Sequence, residues 1–144
     1  MRDLVLARLD NAKERLKSAK ILLDSGQLRD SVSRSYYCIL FTLRAVLAKD
    51  GKDFKKHAGV LSYFNQCYFK TKVLDTKYAD YVNNAFQIRN NCDYNDFYVI
   101  SAEDAAKQYE QAKEFLIYIE AFLKKCGALG TGDCPWQYET VLIK

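Results

Sequence analysis

Two stretches of the chain space their apolar residues in a way that leaves few folds open. Val5, Leu9, Ala12, Leu16, Ala19 and Leu23 recur at intervals of 4, 3, 4, 3 and 4. Ala105, Tyr109, Ala112, Leu116, Ile119 and Leu123 repeat the same intervals near the other end. Such spacing returns side chains to one stripe of an α-helix, whereas a strand needs alternation by two. Each stretch therefore predicts an amphipathic helix that must bury one narrow seam against other helices.

The chain between these seams reads as helical too. The first helix covers about residues 2 to 25 and ends at Gly26, suited to a left-handed C-terminal residue. A second runs from about Leu28 to Lys49, and after Arg34 it is apolar nearly all round, which predicts burial against several neighbours. Asp50-Gly51 closes it, so the first two helices form an antiparallel hairpin. A third helix is expected over about residues 57 to 69 and a fourth over about 77 to 91, separated by the polar stretch Lys70 to Thr76. A junction rich in aspartate, asparagine and tyrosine follows from Cys92 to Ile100. Ser101 then caps the last helix, whose first turn carries Glu103 and Asp104 and whose end carries Lys124 and Lys125. The expected architecture is all-α, an up-and-down bundle of about five helices over residues 1–126. Residues 127–144, with Gly130, Gly132 and Pro135, read as a tail that forms a loop or a short extended segment.

The residue types exclude several function classes. Lys and Arg total 22 against 18 acids, a formal charge of +4, which permits nucleic acid without the dense basic stripe of a dedicated duplex binder. The five cysteines (Cys38, Cys67, Cys92, Cys126, Cys134) are widely spaced, and His57 is the only histidine. No zinc quartet of ordinary spacing can be drawn, so neither a metal nor another cofactor is expected. An odd, scattered set of thiols suits a reducing cytoplasm. The first residues show no signal-peptide pattern, and no run reaches the length of a membrane span, so no membrane partner is expected. Gly-rich phosphate loops, G-x-S-x-G and paired histidines are missing.

One segment concentrates polar groups. Ile88-Arg89-Asn90-Asn91-Cys92-Asp93-Tyr94 ends the fourth helix. It reads either as an ordinary helix end, with Arg89 and Asp93 pairing four residues apart if the helix continues, or as a binding site.

Four groups of residues together resemble the HEPN domain (higher eukaryotes and prokaryotes nucleotide-binding). Residues 12–23 look like its opening helix. Ser33-Arg34-Ser35-Tyr36-Tyr37-Cys38 is similar to its Ser-Arg-x-Tyr-Tyr-Ala element, Lys56-His57-Ala58-Gly59-Val60 to its Lys-His-x-Gly-Val step, and Arg89-Asn90-Asn91-Cys92-Asp93-Tyr94 to its Arg-x-x-x-Asp-Tyr variant. The resemblance spans about residues 5 to 125. It implies a homodimeric bundle, often encoded beside a minimal nucleotidyltransferase as a toxin–antitoxin pair. Active members are metal-independent ribonucleases that carry Arg-x(4–6)-His, two copies of which meet in the dimer cleft. Arg89 and Asn90 match the first half of that motif, and Tyr94 stands where the histidine belongs.

That departure bears on mechanism. Cleaving RNA without metal needs one group to take the 2′-hydroxyl proton and another to protonate the leaving oxygen. Histidine titrates near 6.5 and tyrosine near 10, so Tyr94 is a poor base at neutral pH. Arg89 can still clamp a phosphate bidentately. If the chain is a nuclease, its residues are Arg89, Asn90, Tyr94 and His57. His57 would act as acid/base, although anchoring the start of helix three is the favoured role. If it binds RNA or a nucleotide, the candidates are Arg89, Asn90, Asp93, Tyr94, Tyr98 and Arg34. Tyr36 and Tyr37 are expected to pack with their hydroxyls satisfied at the core edge. Arg34 is expected to pair with a carboxylate such as Asp93 before it binds ligand. Tyr94, Phe97 and Tyr98 are candidates for base stacking, and Tyr98 for nucleotidylation by a partner enzyme. The favoured reading is a homodimeric module paired with a nucleotidyltransferase. The alternatives are an endoribonuclease and a structural adaptor.

Overall fold

The computed structural model describes residues 2–128. They form α1 (Arg2–Asp24), α2 (Leu28–Lys49), α3 (His57–Phe64), α4 (Lys77–Tyr94) and α5 (Ala102–Lys125), with a single π-helical turn, Asn65–Phe69, continuing α3. No strand occurs among the described residues, and none of their helices is long and apolar enough to cross a membrane. Of the tail expected over residues 127–144, residues 129–144 lie outside the described residues.

Helix α2 is the centre of the bundle. It packs on α1, α3, α4 and α5, and it buries residues on nearly every face, from Ser31 and Val32 through Ile39, Leu43 and Leu47. Helix α1 buries Val5, Leu9, Ala12 and Ala19 against it, with Leu16 and Leu23 partly covered. The small residues Ala12 and Ala19 let the backbones approach, and the buried Ser31 hydroxyl donates across to the Ala19 carbonyl at 2.8 Å. Helix α5 closes the other side with Ala105, Ala112, Leu116, Ile119 and Leu123. Tyr109, on the predicted seam, is only half-buried. Ser101 caps α5 by accepting from the Asp104 amide at 3.0 Å.

Two segments depart from the sequence reading. Helix α4 runs to Tyr94 instead of stopping near Asn91, because Cys92 is buried in a second apolar cluster with Val32, Ile100 and Ala105. Tertiary burial there outweighs the weak helix propensity of Asn90 and Asn91. The supposedly polar stretch before α4 also buries Leu74, whose amide bonds the Tyr68 carbonyl at 3.1 Å.

The loop before α3 is braced from three sides. Asp53 accepts from Arg44 at 3.0 Å and from Arg8 at 3.3 Å, and Arg8 also donates to the Arg44 carbonyl. At the end of α2, Asp50 accepts from Tyr63 at 3.0 Å and Tyr68 at 2.5 Å while pairing with Lys49. These contacts fix where α3 begins and so where His57 stands.

Between α1 and α2, Gly26 has φ of +80°, and the amides of Gly26 and Gln27 bond the carbonyls of Leu23 and Leu22. This is a Schellman ending, which a residue with a Cβ enters at a cost. No atom lies within 4 Å of a Cβ added there, so the penalty for Gly26→Ala is conformational alone. It should lower stability by about 1 kcal/mol, read as a shift of the urea midpoint with an unchanged slope.

Candidate functional site

The middle of α2 brings Tyr36 and Tyr37 to the edge of the core, where their rings meet at 5.2 Å between centroids and 73° between planes. From α4, Arg89 lays its guanidinium against both, 5.1 Å from the Tyr36 centroid and 5.5 Å from that of Tyr37. Its Nη2 also donates to the Tyr37 hydroxyl at 3.3 Å. From the start of α3, His57 places Nδ1 2.8 Å from the Tyr36 hydroxyl, and its ring packs against both tyrosines. Three helices thus deliver an arginine, two phenols and an imidazole to one cluster.

Local sequence explains each placement. The extra turn of α4 puts Asp93 four residues after Arg89, and its carboxylate approaches Nε to 2.8 Å. The N–H is not aligned on that oxygen, so the contact is an ion pair without a well-formed hydrogen bond. Gly59 has Phe54 carbon atoms 3.2–3.3 Å from where a Cβ would stand, so its lack of a side chain lets the ring of Phe54 seat against α3. Val60 beside it is fully buried. The Lys56-His57-Ala58-Gly59-Val60 step is therefore a docking device that aims His57 at Tyr36.

Burial pushes the Tyr36 phenol up to about 12, Arg89 and Arg44 opposing the rise and Tyr37 adding to it. The hydroxyl therefore stays protonated. His57 Nδ1 is its hydrogen-bond partner among the described residues, and which of the two donates is set by the imidazole tautomer. Burial, and then the charges of Arg89 and Arg44, hold His57 below its usual 6.5.

The other sequence candidates fall in different places. Asn90 is half-buried in α4, next to Arg89 in the chain. Tyr94 is 76% exposed, with Phe97 at 93% and Val99 at 85%, so three large apolar side chains stand bare after the motif. Tyr98 does not join the Arg89 cluster. Its ring packs on Val32, Cys92, Ile100 and Ala105, and Arg29 of α2 clamps the carbonyls of Cys92 and Tyr98. Burial raises its phenol. The pairing expected between Arg34 and Asp93 is not formed: Asp93 takes Arg89, its neighbour one helical turn away, and Arg34 is exposed on α2. A local pair on one rigid helix costs less side-chain entropy than a pair between helices.

Sequence reading missed Arg29, which anchors the junction after α4, and it left Tyr36 and Tyr37 out of the site. Arg15 was missed as well. It covers Phe41 of α2 at 5.3 Å, and only the register of the α1–α2 hairpin could have disclosed that.

Fold and cluster together define the class: a helical bundle with an arginine near the end of its fourth helix, set against a tyrosine pair on the second. The chain matches the HEPN domain over residues 5–122 and belongs to that family. It is 32% identical over 113 residues to a UPF0332 protein of Thermotoga maritima, covering 78% of this chain and 86% of that one. It is 30% identical over 125 residues to a Methanocaldococcus jannaschii protein named "Putative toxin MJ0605", covering 87% and 92%. A second protein of that organism, "Putative toxin MJ0142", is also 30% identical, over 80% of this chain and 78% of its own length.

The depressed His57 pKa has a sign. The unfolded chain, with an ordinary imidazole, binds the proton more tightly than the folded one, so stability is full above about pH 6.5 and declines as pH falls below it. Melting temperature should drop between about pH 7.5 and 5.5, and His57→Gln should flatten part of that slope. An identical slope in the variant places the imidazole in ordinary solvent.

Proposed function

We propose that this chain is the HEPN half of a toxin–antitoxin-like pair, a homodimer that binds RNA or a nucleotide through Arg89 and Asn90 and works beside a minimal nucleotidyltransferase. The observation that carries the reading is the setting of Arg89. Asp93 engages Nε and Tyr37 engages Nη2, while Nη1 has no protein acceptor among the described residues. A guanidinium so held is preorganised to give its remaining N–H groups to a phosphate oxygen. The two relatives whose printed names contain "toxin" support placing the module in such a pair. The bare Tyr94, Phe97 and Val99 support the dimer, since a second copy would remove from water a patch adjoining the motif.

The endoribonuclease reading has one observation in its favour, the presence of His57 in the Arg89 cluster. Its chemistry is compromised there. Tyr36 already holds Nδ1, so only Nε2 is open to a ligand. Burial, and then the charges of Arg89 and Arg44, disfavour the imidazolium that would protonate a leaving oxygen. Binding without turnover fits this arrangement better.

The test is to titrate purified protein into a labelled oligoribonucleotide in EDTA, with fluorescence anisotropy for binding and gel analysis for strand scission. Wild type should bind and leave the strand intact, and Arg89→Ala should weaken binding about 10- to 100-fold, as expected for a charge-assisted contact of about 1.5–3 kcal/mol. Cleavage that disappears in Arg89→Ala would establish the enzyme instead. Absence of binding would leave the structural adaptor.

A further inference from the structure

Arg89 is not the strongest source of positive charge on its face, because Asp93 offsets it. The uncompensated charge lies one step along α2. Arg15 of α1 and Arg34 of α2 line an open groove of about 460 Å³ together with Ser33, Tyr37 and Phe41. Neither arginine forms an ion pair among the described residues, although Asp30 stands one turn before Arg34 on the same helix. Arg15 instead lies over the Phe41 ring at 5.3 Å.

Tyr37 belongs to both places. It lines this groove, and its hydroxyl and ring contact Arg89. Along α2, Arg34, Tyr37 and Phe41 follow one another at intervals of three and four residues, so Tyr37 stands between the other two. With Arg89 over Tyr37 and Arg15 over Phe41, they make one row of guanidiniums and aromatic rings. Cations spaced along an open groove suit successive phosphates, and half-buried rings beside them suit unstacked bases. The row lies in a groove between two helices, with no element projecting from it to enter a duplex groove, which favours a single strand over a helix of RNA.

We infer that the groove between α1 and α2 is a phosphate track for single-stranded RNA, with Arg34 and Arg15 binding backbone phosphates on either side of the Tyr37–Arg89 contact. This rests on the RNA-binding form of the function proposed above. It adds residues outside the Arg-x-x-x-Asp-Tyr motif and gives the ligand a minimum length.

The test compares a labelled 12-nucleotide oligouridylate with a labelled mononucleotide, using full-length wild type, Arg15→Ala, Arg34→Ala, Arg34→Lys and Arg89→Ala over a range of salt. Arg34 is exposed and Arg15 holds only a ring contact, so the variants should melt with wild type. The oligonucleotide should bind more tightly than the mononucleotide. Arg15→Ala and Arg34→Ala should each weaken the oligonucleotide about three- to tenfold and reduce the log–log salt slope by about 0.7, while Arg34→Lys keeps the slope. The mononucleotide, too short to span the row, should respond to Arg89→Ala only.

Wild-type affinity and slope in both groove variants, with binding still lost in Arg89→Ala, would overturn the track and leave the Arg89 reading intact. Equal affinity for the mononucleotide and the 12-mer would overturn it as well. No oligonucleotide binding by wild type would overturn both.

Discussion

A helix buried on nearly every side must be apolar on nearly every side, and α2 is such a helix. It is the element that α1, α3, α4 and α5 have in common, so their positions relative to one another are set through it. The narrow seams of α1 and α5 are consequences of the same constraint. Each needs only one buried stripe because each has one main obligation, to cover a face of α2. Truncating a side chain at its centre, such as Leu43, would remove packing from several helices together, which is where large-to-small losses of about 2–5 kcal/mol arise.

This arrangement also explains where the polar chemistry sits. A central helix can carry polar atoms only where it emerges from its neighbours, and tyrosine suits that boundary with an apolar ring and a hydroxyl tip. Tyr36 is almost wholly buried yet reaches His57 with its hydroxyl, and Tyr37, less covered, reaches Arg89. Both rings hold the guanidinium by cation–π attraction, while the Tyr37 hydroxyl sets its register. The site is thus built on rigid elements, with the loop before His57 braced by Asp53 and its two arginines.

Helix positions were legible wherever one periodic pattern decided them. The 4-3-4-3-4 seams, the all-round apolarity of α2, the glycine after α1 and the Ser101 cap all act through neighbouring residues, and the structure has each of them. Reading failed where a distant segment overrode the local signal. Asn90 and Asn91 look like a helix end, yet Cys92 extends α4 by packing on Val32 and Ile100, and Arg29 fixes the carbonyl beyond. The Arg34–Asp93 pair, expected because Arg34 interrupts an apolar surface, does not form: the longer α4 gives Asp93 to Arg89, and Arg34 is exposed. Arg89 and Asp93 stand out as a polar cluster in the sequence itself, and the family resemblance adds His57 as a candidate. Their tyrosine scaffold and Arg15 depend on how α1, α3 and α4 register against α2, which periodicity does not contain.

The substitution of tyrosine for the motif histidine has to be weighed together with the fate of His57. A phenol at position 94, mostly exposed, supplies neither a base near neutrality nor a fixed partner for Arg89. The one imidazole in the chain reaches the cluster from a different helix, but Tyr36 holds its Nδ1, and burial, then two guanidiniums, disfavour its cation. An imidazolium is the form that would protonate a leaving oxygen, and it is the form this environment opposes. The same guanidiniums favour an anion beside them. Burial opposes either charge, so the guanidiniums are what would set an anion apart from a cation beside Tyr36 and Tyr37.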